Sequence, residues 1–324
     1  MYTYLEGNGL KLKIILKKAL KLFRVTGDHW LVQLVRKKRE TPFIKKVSDD
    51  PLNPLLHLEN AKHASANGNH FLAYSELKTA NHLGLDREQL EKYEGIFKAA
   101  LPENSTLDHN MYFRMKSLAD EILRRSSGSV CSVLDVGGGS GALASFIPEH
   151  SYCLVEPTAN GISGTNLPFV GRSFDFVVSC HVLEHIPPDD RELFLDQLLS
   201  KSSAGLILLN PFEVKKTLVT ERLQLVIDIT EASWAKEHLD CSLPKVEDLE
   251  AYAAERGLQI QIRPNGTMTT SLAFVFMQHF AYMAGARKEI LKIDSFFNKN
   301  YEKILDSEAY PNANLVFIGP PSQI

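Results

Sequence analysis

Two hydrophobic periods divide the chain, and their order predicts an α/β protein with a helical region ahead of it. Apolar runs of strand length fall at 133–135, 151–156, 174–180, 204–210, 257–264 and 314–319. Between them lie stretches of helical period at 108–125, 189–199 and 246–258. Strands separated by helices imply a doubly wound, Rossmann-like sheet. Seven strands are expected, with the run at 314–319 at the sheet edge. The link from Glu156 to Phe174 is short, so the second helix and third strand of such a sheet must be abbreviated. The longest apolar stretch, 271–286, is interrupted by Gln278 and His279 and is too short to cross a bilayer, which predicts a buried helix.

Two segments precede the sheet. Residues 10–23 have a helical period that puts Leu12, Ile15, Leu16, Ala19, Leu20 and Phe23 on one face and Lys13, Lys17, Lys18 and Lys21 on the other. Such a helix either lies in an anionic membrane surface or docks its apolar stripe on the rest of the protein. Residues 57–85 resemble one tetratricopeptide unit, with Ala61, Gly68, Ala73, Leu77 and Ala80 at its small and apolar positions. One unit alone makes no solenoid, so a helical hairpin packed on its neighbour is expected. The organisation read from these patterns is a basic arm at 1–46, a helical tetratricopeptide-like region at 47–105 and an α/β domain at 106–324. Long insertions at 212–244 and 267–312 would form a lid over the carboxyl side of the sheet.

The densest chemical signal is VLDVGGGSGALASF, residues 133–146. An apolar run ends in Asp135, and glycines follow at 137, 138, 139 and 141. Without a Cβ, this turn lets backbone approach a nucleotide closely and tolerates positive φ. Twenty-one residues after Asp135, Glu156 ends the next apolar run, where a carboxylate can accept from both hydroxyls of a ribose. A third segment, NLPFVGRSFDFVVSCHVLEHI, carries His181 to His185 just past the end of a strand.

Loop, acid and LEH segment, in this order, resemble the class I S-adenosylmethionine-dependent methyltransferases in their small-molecule branch. The resemblance spans roughly residues 108–319 and implies S-adenosylmethionine as cofactor. It implies that Asp135, Gly137, Gly139 and Gly141 hold the methionine part, that Glu156 holds the ribose, and that Asn166 and Leu167 contact adenine. Cys180 and His181 would lie beside the methionine end and the sulfonium. The position at which the family often places an acid for the adenine amine is Ser163 here. The EH of related enzymes matches Glu237 and His238.

Composition narrows the function. Residues 1–46 carry twelve Lys or Arg against three acidic residues, a net of +9 that leaves −12 on the remainder of a 324-residue chain of net charge −3. Four scattered cysteines, with no CxxC and no Cys/His cluster of ligand spacing, fit a reducing, cytoplasmic setting, with the arm suggesting the inner membrane face. No acidic pair stands at the strand ends, so no metal is expected. Methyl transfer to an oxygen of a small-molecule or glycan-type acceptor then needs a base, for which His238, His181 and His185 are the candidates. Two alternatives remain at this level. A nucleic-acid methyltransferase is disfavoured because Pro187-Pro188 comes too late after the strand to grip a flipped base. A cofactor-binding scaffold without turnover is the other.

Overall fold

The structure is a computed structural model that describes residues 42–213, 216–300 and 310–321. The amphipathic segment at 10–23 lies outside them. Four helices come first: α1 (Pro42–Asp49), α2 (Pro54–Ala66), α3 (His70–His82) and α4 (Arg87–Ala100). Each of α2 and α4 starts on a side chain that accepts from its first turn, Asn53 from Leu55 N and Asp86 from Gln89 N. Helix α5 (His109–Ser126), capped by Asp108, then leads into β1 (Ser132–Val136). The sheet continues through β2 (Ser151–Val155), β3 (Phe174–Cys180), α6 (Arg191–Lys201) and β4 (Ser202–Asn210). After β4 come α7 (Lys216–Thr230), α8 (Ser233–Cys241), α9 (Val246–Glu255), β5 (Gln259–Thr267), α10 (Met268–Met283), α11 (Arg287–Asn300) and β6 (Pro311–Gly319).

Among the described residues the sheet has six strands, in the order β2-β1-β3-β4-β6-β5, instead of the expected seven. Strands β1 to β4 are parallel, and β6 runs antiparallel between β4 and β5, so the sheet is mixed. The run at 314–319 is therefore an inner strand and not the edge. Its near-continuous burial is what pairing on both sides requires. The missing strand is the one for which the short link after Glu156 has no room. In its place Thr79 of α3 covers the edge, accepting from the backbone Leu154 N at 2.9 Å. His82 Nδ1 and Ser151 Oγ meet 2.8 Å apart along the same edge.

The pleat sends alternate strand residues to two cores. On one face Val133, Leu154, Phe176, Val178 and Ile207 pack with Leu118 and Ile122 of α5 and with Leu58, Ala61, Ala73 and Leu77 of α2 and α3. On the other, Leu134, Val155, Val177 and Leu208 pack with Phe194 and Leu198 of α6, with Leu249 and Tyr252 of α9, and with Val47 of α1. The helical hairpin thus shares a continuous core with the sheet. It also packs against the glycine loop. A Cβ at Gly141 would fall 2.2 Å from Ser75 Oγ of α3, and only a 3₁₀ turn, Ala142–Ser145, follows the loop.

The two insertions meet in a third cluster, where Val219, Leu223, Val226 and Ala235 pack with Leu272, Val275 and Phe276. Helix α11 is tied to the start of α5, since Asp294 Oδ1 accepts from His109 N at 3.2 Å and Asn298 Nδ2 donates to the carbonyls of Ser105 and Leu107. The apolar helix predicted to be buried is only partly so. Met268 and Phe274 are inside, but Phe280 and Met283 are more than half exposed, because α10 runs past the core it covers. No helix among the described residues is long and apolar enough to cross a membrane.

Candidate functional site

Strands β1 and β3 end side by side, Asp135 in register with Val178, the glycine loop following one and the turn Leu183–His185 following the other. Gly137, Gly139 and Gly141 have φ of +76°, +58° and +70°, the left-handed region that glycine enters without a Cβ penalty. The three differ in what surrounds them. A Cβ on Gly137 would strike Val182 Cγ2 at 2.2 Å, whereas one on Gly139 meets nothing within 4 Å. Gly139 therefore presents its backbone to open space. Its N–H donates to Glu156 Oε2 at 3.1 Å, so the acid at the end of β2 turns toward the loop.

Residues beneath this crevice fix its shape. Asp135 is buried and accepts from Tyr152 Oη at 2.7 Å, and burial pushes its carboxyl up to about 7, with Glu156 adding to the shift. Asn160, fully buried, accepts from the backbone N of Glu156 at 3.0 Å and donates to Glu76 Oε1 and to the Leu154 carbonyl, both at 2.9 Å. Glu76 in turn pairs with His57 Nδ1 at 2.6 Å. The acid of the crevice is thus positioned from α2 and α3. Neither Tyr152 nor Asn160 stood out in the sequence; a lone polar residue in or just after an apolar run is the only trace either leaves. Of the two residues expected at adenine, Leu167 is buried and Asn166 exposed.

At the end of β3, burial pushes the Cys180 thiol up to about 12, which leaves it a small neutral group. His181 has φ +55°, uncommon for a residue with a Cβ, and its N–H is held by the Leu209 carbonyl at 2.8 Å. Its Nδ1 lies 3.0 Å from Glu184 Oε1, while its Nε2 is buried without a partner. Glu184 is fully buried on the turn Leu183–His185, and its Oε2 accepts from Asn210 Nδ2 at 2.6 Å. Asn210, at the end of β4, thus orients this carboxylate. Burial pushes His181 and His238 down to about 4 each, with Arg114 also pressing on His181. Burial pushes Glu184 up, but His181, His238 and a backbone hydrogen bond together hold it below the ordinary carboxylate range.

The remaining candidates stand beside them. His185 is about one-third exposed and pairs through Nδ1 with Glu237 Oε2 at 3.1 Å. Its Nε2 faces His238 Nε2 at 3.4 Å. His238, nearly buried on α8, also lies 3.8 Å from Glu184 Oε1 and packs edge-on against Trp234. Although their sequence spacing gave no metal expectation, Glu184, His185 and His238 each bring one ligand atom to within 4.8 Å of the others. Two arginines complete the surroundings. Arg114 of α5 and Arg222 of α7 each have a buried Nε without a partner, and burial with Arg114 nearby pushes Arg222 down to about 10. Nothing in the sequence marked Arg222, since its position in an insertion carries no pattern.

A mostly parallel sheet, a left-handed glycine loop facing open space and an acid turned onto that loop define a nucleotide-type site of the doubly wound class. Residues 107–261 match the sequence profile of a family described as "Methyltransferase domain". That match, over just under half of the chain, supports a methyltransferase domain that uses S-adenosylmethionine as its cofactor.

Solved structures with similar folds include the magnesium protoporphyrin IX methyltransferase of Synechocystis PCC 6803, at 13% identity and TM-score 0.38, covering 64% of this chain and 84% of that one. A methyltransferase of Archaeoglobus fulgidus matches at 15% identity and TM-score 0.37, covering 63% of this chain and 94% of that one. The phosphoethanolamine N-methyltransferase 2 of Haemonchus contortus matches at 14% identity and TM-score 0.38, covering 64% of this chain and 53% of that one. These likenesses are distant. No curated protein sequence matches the chain.

Proposed function

We propose that the enzyme transfers the methyl group to an oxygen of an anionic small-molecule or glycan-type acceptor, with His181 as general base. S-adenosylmethionine, when bound, supplies an electrophilic methyl on a sulfonium. The backbone of Gly137, Gly139 and Gly141 above Asp135 would hold its methionine part, Glu156 its ribose, and Leu167 with Asn166 its adenine; Cys180 and His181 would border the sulfonium. Open space at Gly139 and the turn of Glu156 toward it support that fit.

The base assignment rests on one observation, the buried and unpartnered Nε2 of His181. Glu184 beside Nδ1 favours the tautomer with its proton there, which leaves a lone pair on Nε2 to take a hydroxyl proton. The fixed left-handed backbone aims the ring, and alignment contributes much of the rate in an in-line displacement. His185 and His238 turn their Nε2 atoms on each other and suit this task less well. The unpartnered Nε atoms of Arg114 and Arg222 favour an acceptor with a carboxylate or phosphate, which a planar guanidinium recognises.

A labelled-methyl screen of hydroxylated carboxylates and phosphates, nucleotide sugars included, tests this reading. Transfer only to uncharged acceptors refutes the anionic class, and product methylated at nitrogen or carbon refutes the oxygen target. The arm at 10–23 supports an acceptor presented at an anionic membrane face. Liposome flotation of the full chain against one starting at Pro42 checks that, and equal behaviour refutes it.

A further inference from the structure

We propose that Glu184, His185 and His238 form a binding site for a divalent first-row transition cation such as Zn2+ or Mn2+. Three acceptor atoms from two distant stretches of chain point at one place. His185 Nε2 and His238 Nε2 are 3.4 Å apart, Glu184 Oε1 is 3.8 Å from His238 Nε2, and all three lie within 4.8 Å. Ligands about 2.1 Å from a tetrahedral ion stand about 3.4 Å from each other, so the cluster needs only a small contraction to close on one.

Hydrogen bonding does not explain the convergence. His185 Nδ1 faces Glu237 Oε2 at 3.1 Å, which places its proton there and leaves Nε2 bare. At 3.4 Å the contact between the facing Nε2 atoms is a long, weak hydrogen bond. Glu184 is fully buried; its Oε1 lies 3.0 Å from His181 Nδ1 and keeps a second lone pair on the side of His238. Buried acceptors joined only by one long contact are poorly satisfied, and a cation at their centre satisfies all three.

The surroundings are those of a ligand set. Glu237 fixes the ring of His185, and Asn210 Nδ2 fixes Glu184 through its other oxygen at 2.6 Å; such outer partners orient ligands and set their basicity. Partial exposure of His185 leaves an entry path. Two imidazoles and one carboxylate suit zinc, manganese or iron better than magnesium or calcium, which prefer oxygen shells. With three protein ligands, a position stays open for an acceptor oxygen, whose hydroxyl the ion would acidify beside His181. That catalytic consequence rests on the methyltransferase reading; binding of the ion does not. The site also ties α8 of the first insertion to the end of β3.

The test uses the full chain, stripped with a chelator, dialysed and titrated by calorimetry with ZnCl2, MnCl2 and MgCl2 separately, with retained metal counted by mass spectrometry. One Zn2+ or Mn2+ per chain is expected, bound more tightly than Mg2+. His185→Ala, which opens no core, should weaken binding at least 100-fold, and Glu237→Gln 10- to 100-fold. S-adenosylmethionine titrated into the same samples reports separately on the cofactor site. Cofactor binding without metal binding overturns this site and leaves the methyltransferase reading standing; metal binding without cofactor binding does the reverse. Unchanged metal affinity in His185→Ala, or a preference for Mg2+, also overturns it.

Discussion

Alanine at Gly139 separates the loop's role in binding from its role in folding. The φ of +58° makes an alanine there costly by about 1–2 kcal/mol. No steric term adds to it, because the new methyl meets no atom within 4 Å. A stability of about 5–15 kcal/mol absorbs that loss, so Gly139→Ala should fold. The methyl would stand in the crevice between the loop and Glu156, where the cofactor's backbone contacts are expected. Its affinity for S-adenosylmethionine should fall at least tenfold, a loss of about 1.4 kcal/mol or more. Gly141→Ala is the contrast. Its Cβ would fall 2.2 Å from Ser75 Oγ and 2.4 Å from Ser75 Cβ, adding about 1–3 kcal/mol of overpacking to a similar backbone strain. Urea unfolding ranks the stabilities, and calorimetry with S-adenosylmethionine ranks the affinities. Wild-type affinity in Gly139→Ala, or a stability loss equal to that of Gly141→Ala, would refute the reasoning.

Other outcomes follow from the same geometry. Thr79→Val should cost about 1–3 kcal/mol by orphaning the Leu154 N–H, while Thr79→Ser should retain the hydrogen-bond share; equal losses in the two would show that the hydroxyl does not cap the sheet edge. Asp135 has a folded pKa of about 7 against an ordinary 3.8, so the folded state holds its proton more tightly. Its contribution is full below pH 3.8 and is lost as pH rises through about 7, amounting to as much as about 4 kcal/mol. Asp135→Asn should therefore gain on wild type between pH 4 and 8 in unfolding measurements, and a flat difference would contradict the assignment. His181→Gln should lower turnover about 10²- to 10⁴-fold and leave calorimetric affinity for S-adenosylmethionine unchanged; full activity removes His181 as base. Arg222→Met should raise the KM of an anionic acceptor and not that of an uncharged analogue.

Local order along the chain determined the strands, the glycine turn and Glu156, because strand period, missing Cβ atoms and a carboxylate at a strand end are properties of neighbouring residues. The short link between Glu156 and Phe174 was expected to abbreviate the second helix and third strand, whereas among the described residues the sheet has six strands and none in that link. What takes the place of the absent strand and packs against the glycine loop, namely Thr79 and Ser75 on α3, depended on how a hairpin more than fifty residues upstream docks. The same is true of the histidines. His181, Glu184 and His185 were visible as one motif, but their division of labour was decided by His238, Asn210, Glu237 and Arg222, which arrive from β4 and the insertions. Side chains that meet only after folding leave no period in the sequence, and burial, which sets their protonation and leaves their lone pairs unpartnered, exists only in the packed molecule.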